Sequence, residues 1–114
     1  MRSRATDAAL RDIQRHIALA TAFAEDIGLE AFENDLRTVY AVVRCLEIIS
    51  EASRHLPADL KTRHPEIVWT QIAGAGNLYR HDYEDVAARM VWNTGAFALP
   101  SLKLVIDEEI AQLS

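Results

Sequence analysis

Cysteine is nearly absent. Cys45 stands alone among 114 residues, so no disulfide can form within the chain and a reducing, cytoplasmic setting is expected. Its apolar neighbours mark it as a core residue. No apolar run reaches membrane length, and Arg2, Arg4, Asp7, Arg11 and Asp12 interrupt any stretch of signal-peptide length, so a soluble protein with no membrane partner is expected. Positive charge is also short, with twelve Lys and Arg against seventeen Asp and Glu and a formal net charge of -5. Lys and Arg supply most sequence-independent affinity for nucleic acid, so any RNA contact must be local. The four histidines, His16, His55, His64 and His81, are scattered without chelating spacing, and neither a metal nor a cofactor is expected. No spacing ties Ser50 or Ser53 to His81, which leaves a nucleophilic triad without support. Gly74-x-Gly76 follows no strand and lacks the third glycine of a dinucleotide fingerprint.

What is present is helical periodicity. Half the residues are apolar, enough for one folded domain spanning 1–114. Leu10, Ile13, Ile17, Ala20, Ala24 and Ile27 recur at steps of three and four and predict a first helix from about Thr6 to Asp26, started by Thr6 or Asp7 and ended by Gly28. A second helix begins at Asn34 or Asp35, with Val39, Val42, Leu46 and Ile49 inward and Cys45, Ile48 and Ala52 at the sides, and ends at Pro57. A third segment starts near Ile67 and reaches Gly74, Ala75 and Gly76, where small residues weaken the helix or admit another backbone. A fourth begins around Glu84 and Asp85, with Val86, Met90, Val91 and Phe97 inward. Pro100 opens a last helix carrying Leu102, Val105, Ile106, Ile110 and Leu113. No alternating strand pattern occurs. The expected fold is an all-α antiparallel bundle of four to five helices.

Two polar features interrupt this pattern. Arg44, Glu47, Glu51 and Arg54 form a narrow charged stripe on the second helix, either a solvated face of i,i+3 pairs or the lining of a groove. From Pro57 to Pro65, Lys61, Arg63 and His64 face one acid, Asp59. With Arg54 and His55 this is the basic segment of the chain, a candidate for steering RNA or a solvated connector.

The densest chemistry lies in Gly76-Asn77-Leu78-Tyr79-Arg80-His81-Asp82-Tyr83. His81 can exchange a proton near neutral pH, and Arg80 offers a permanent charge with donors suited to phosphate. The other reading is a helix end, with His and Arg on the last carbonyls and the tyrosines packed inward.

This octet and its surroundings resemble the HepT-like branch of the HEPN superfamily, small helical ribonuclease toxins with the signature R-x-x-x-x-H-x-Y. His81-Asp82-Tyr83 matches H-x-Y. The run 41–52, AVVRCLEIISEA, resembles the family's second helix, and His64-Pro65-Glu66-Ile67-Val68-Trp69 the turn that follows it. Val91-Trp92 and Leu99-Pro100-Ser101-Leu102-Lys103 resemble its last helices. Where the family has its arginine, this chain has Gly76. The resemblance implies a metal-independent endoribonuclease in which His81 is the acid/base residue, and a homodimer whose two motifs share a composite cleft. It further implies a cognate nucleotidyltransferase antitoxin that adds AMP to Tyr83. Arg80 lies one helical turn from position 76 and is the candidate replacement for the missing arginine, or else a helix cap or partner of Glu84. Arg44 and Arg54 are the next candidates for binding RNA. The alternative is a weakened helical module that dimerises and holds a protein or nucleotide without cutting RNA.

Overall fold

Leu10, Ile13, Ile17 and Ala20 are all buried on one face of α1 (Arg4–Ala24). The computed structural model describes residues 2–77 and 84–112, with the course of the backbone alone for 84–87. The start of α1 is capped by Ser3, whose Oγ accepts from the Thr6 N–H at 3.1 Å, so the cap lies earlier than Thr6 or Asp7. The helix also stops earlier than expected. Asp26 takes the left-handed conformation, with φ 61°, while Gly28 is extended and begins α2 (Leu29–Glu33). That five-residue helix is too short to declare a period, yet it buries Phe32 completely.

Asp35 caps α3 (Leu36–Ser53), accepting from the Thr38 N–H, and the bond from the Thr38 hydroxyl, together with that one, lowers its pKa. Val39, Val42, Cys45, Leu46, Ile49 and Ala52 are buried, as the stripe required, and burial raises the pKa of the Cys45 thiol. Helix α3 ends at Ser53 and not at Pro57, which instead precedes α4 (Ala58–Arg63). There follow α5 (Trp69–Gly74), a 3-10 turn (Ala75–Asn77), α6 (Glu84–Asn93), a π turn (Thr94–Ala98) and α7 (Leu99–Ala111), with Pro100 in its first turn. Helix α1 packs along α3 and against α7, and α5 with its 3-10 turn lies on α3. The fold is all-α, with no strand among the described residues. No helix among them is long and apolar enough to cross a membrane.

Two inward assignments fail. Phe97 is 72% exposed and Met90 is 36% exposed, while Ala88, Val91 and Leu99 fill the interior. Ala88 and Val91 mark the inner face, and at about 100° per residue Phe97 points about 180° from the first and about 120° from the second, on the outer side with Met90. Leu113 and the side chain of Val86 lie outside the described residues.

Part of the basic segment after Pro57 turns inward. His64 is buried, with Nε2 2.5 Å from Glu109 Oε2, and Arg63 Nη2 donates to Glu109 Oε1 at 2.9 Å. Arg2 reaches the Glu109 carbonyl, and Trp69 Nε1 donates to the Lys61 and His64 carbonyls. Burial pushes the Glu109 pKa up, but the hydrogen bonds from Arg63 and His64 outweigh it and hold the carboxyl below its ordinary value. Arg63 and His64 therefore fasten α4 and its following turn to α7 through Glu109.

Candidate functional site

On α3 the buried stripe leaves one polar edge, and Arg44, Glu47, Glu51 and Arg54 rise along it. Arg44 Nη1 lies 3.7 Å from Glu47 Oε1, and Arg54 Nη1 3.0 Å from Glu51 Oε2, so both expected i,i+3 pairs form. The same four side chains, with Ser50, Gly76 and Asn77, line an open cleft of about 360 Å³. Stripe and groove thus coincide. Two guanidinium groups and two carboxylates balance, so these four side chains give the cleft no excess charge of either sign. The Arg44 side chain is 70% exposed. Arg54 is more tightly held, since its Nη2 also donates to the Ala73 carbonyl at 2.6 Å.

The small residues at the end of α5 explain the cleft's floor. A Cβ on Gly76 would lie 2.8 Å from the Glu47 Cα and 3.1 Å from Ser50 Oγ, so only glycine fits there. A Cβ on Gly74 would meet nothing within 4 Å. Gly76 also donates its N–H to Ser50 Oγ at 2.7 Å, and Ser50 donates to the Ile72 carbonyl at 2.9 Å. The sequence offers Ser50 only as a nucleophile without a partner, and so misses this bridging place. The signal that marks it is position: a hydroxyl at the border of the apolar stripe, between Glu47 and Arg54, on the helix that meets a Gly-x-Gly segment.

Asn77 is the last described residue on the cleft's rim, and the chain is described again from Glu84. The candidates Arg80, His81 and Tyr83, with Tyr79, lie outside the described residues. The structure therefore brings together Arg44, Arg54 and the first two residues of the motif octet. His16 stays apart, with its ring bonded to the Asp12 carbonyl, and His55 lies beside Glu51 at 3.3 Å. Among the described residues no group of three His, Cys, Asp or Glu side chains converges as a metal site.

The family model described as "Ribonuclease HepT-like" matches residues 13–109, which includes every element lining this cleft. The chain belongs to the HepT-like ribonuclease family. Among the HepT-like relatives, a Thermococcus cleftensis protein named "Probable ribonuclease HepT" is 43% identical over 94 residues, 82% of this chain and 86% of that one. Two Methanocaldococcus jannaschii proteins, each named "Putative RNase", are 33% and 32% identical over 113 residues, 99% of this chain and 97% and 93% of theirs. No solved structure matches this HepT-like chain.

Proposed function

We propose that this chain, as one domain spanning 1–114, is the toxin of a toxin-antitoxin pair and cuts RNA without a metal ion. Its membership of the HepT-like ribonuclease family supports that reading. The observation that carries it is the cleft, in which Arg44, Arg54, Gly76 and Asn77 share one wall-and-floor arrangement four residues before His81.

In the proposed reaction His81 takes the proton of an RNA 2′-hydroxyl, that oxygen attacks the adjacent phosphorus, and the bond to the 5′ oxygen breaks as that oxygen receives a proton. Arg80 stabilises the charge that builds on the phosphoryl oxygens, and the exposed Arg44 receives a flanking phosphate. Arg54 adds its charge nearby, although both of its terminal nitrogens already hold partners. A second copy of the chain supplies a second His81, so acid and base come from a homodimer whose cleft is composite. A nucleotidyltransferase antitoxin silences the site by transferring AMP to Tyr83, which sets a second anion where the RNA phosphate must sit.

One observation favours the other reading, a module that binds without cutting: the contact of Gly76 with α3 leaves no room for the arginine of the family signature. The deciding experiment is RNA cleavage by the purified chain, with and without chelator, beside His81→Ala. Cleavage that survives EDTA and vanishes in His81→Ala supports the ribonuclease. Intact RNA with the wild-type chain supports the binding module.

A further inference from the structure

An α-helix running past Gly74 would send the Gly76 N–H to the Ile72 carbonyl four residues back. Ser50 Oγ stands between those two groups, accepting from Gly76 at 2.7 Å and donating to Ile72 at 2.9 Å. The next carbonyl, Ala73, is occupied by Arg54 Nη2 at 2.6 Å. The Ile72 carbonyl also accepts from the Ala75 N–H, and Ser50 and Arg54, one turn apart at the end of α3, add side-chain donors to two consecutive carbonyls at the end of α5. The bare Cα of Gly76 is what lets α3 come this near.

The consequence is directional. With the Gly76 N–H held by Ser50 and the Ile72 carbonyl taken by the Ala75 N–H three residues on, the chain tightens into the 3-10 turn Ala75–Asn77 instead of continuing α5. Over three residues a 3-10 turn advances the direction by about 60° and the rise by about 1.5 Å relative to an α-helical continuation. That rotation carries a side chain to a different face.

From this we infer that Ser50, seconded by Arg54, sets the direction in which the chain leaves the cleft toward His81, and is a positioning residue for the ribonuclease reaction proposed above, on which this role rests. The hydroxyl suits that position because a single side chain must accept one hydrogen bond and donate another, which alanine cannot do and cysteine does weakly. Ser50 is 2% exposed, so both bonds are made almost out of contact with solvent.

The test compares Ser50→Ala with Ser53→Ala in the full chain. Ser53 is equally buried and donates to the Ser50 carbonyl at 2.7 Å, a bond within the same helix. Three readouts are taken: exchange of the Gly76 amide, the ring resonances of His81, and kcat and KM on RNA. Ser50→Ala is expected to speed Gly76 exchange about tenfold, to shift the His81 resonances, and to lower kcat about tenfold with KM within about twofold. Ser50→Cys should move all three in the same direction by less, and Ser53→Ala should move none. The inference is overturned if Ser50→Ala and Ser53→Ala give the same exchange and the same His81 spectrum, or if the Gly76 amide of the wild-type chain exchanges at an unprotected rate. Should the wild-type chain leave RNA intact, the ribonuclease reading falls, while the amide and ring measurements still decide the role of Ser50.

Discussion

Gly76 and Glu47 meet backbone to backbone: a Cβ on residue 76 would stand 2.8 Å from the Glu47 Cα, with Ser50 Oγ at 3.1 Å. A side chain there must push the turn after α5 away from α3. Gly76→Ala is therefore expected to destabilise the fold by roughly 1–3 kcal/mol, the usual penalty of overpacking, and Gly76→Arg by more. Gly74, whose added Cβ would meet nothing within 4 Å, should respond oppositely, Gly74→Ala gaining up to about 1 kcal/mol. Urea unfolding of the pair checks this, and equal signs for the two variants would contradict the close-packing account.

With no room for arginine at 76, the charge on the reacting phosphate has to be met from elsewhere. Arg80→Ala is expected to lower kcat on the order of 100-fold, and Arg80→Lys less, because lysine keeps the charge but loses the planar fork. Arg44→Ala should instead raise KM a few-fold and flatten the salt dependence, as removal of a flanking phosphate contact does. Steady-state kinetics at two salt concentrations separate the roles. Wild-type kcat in both Arg80 variants would move the clamp to Arg44.

Tyr83 is expected to be the acceptor of AMP when the chain is incubated with the nucleotidyltransferase antitoxin proposed above and ATP, and Tyr83→Phe should block the modification. Peptide mass spectrometry reads the site. AMP on Tyr79, with Tyr83→Phe still modified, would reject the assignment.

The Glu109 carboxyl sits below its ordinary value of 4.5, because hydrogen bonds from Arg63 and His64 outweigh the effect of burial. A carboxylate whose pKa is lowered by folding contributes stability fully above its ordinary value and loses it as pH falls through the lower, folded one. Denaturant midpoints measured from pH 7 downward should therefore begin to drop below about 4.5. Glu109→Gln should lower stability at pH 7 by roughly 3 kcal/mol, the low end for breaking a buried pair, since Arg63 can still reach water. It should also flatten the acid limb. An unchanged acid limb in Glu109→Gln would show that other carboxylates, Asp35 and Asp107 among them, control it.

The sequence by itself determined the helices and their inward faces, because burial of an apolar stripe depends on a 3.6-residue period that is written locally. Leu10, Ile13 and Ile17 in α1, Val39, Val42, Leu46 and Ile49 in α3, and Leu102, Val105 and Ile106 in α7 are buried as their spacing required. It also carried the motif match and the edge of charge on α3. Where the period is short or the face is misjudged, it told less: α2 had too few residues to show a period, and Met90 and Phe97 lie away from the face that Ala88 and Val91 bury. Partners far apart in the chain were decided only by the tertiary structure. A histidine at 64 and a glutamate at 109 carry no mutual signal until α7 packs near α4, and Ser50 is an ordinary helical serine until Gly76 comes within hydrogen-bonding distance. The glycine itself was legible as a departure from the family signature. That it is a steric requirement, imposed by the Cα of Glu47, depends on two segments that meet 29 residues apart in sequence, a contact no local pattern encodes.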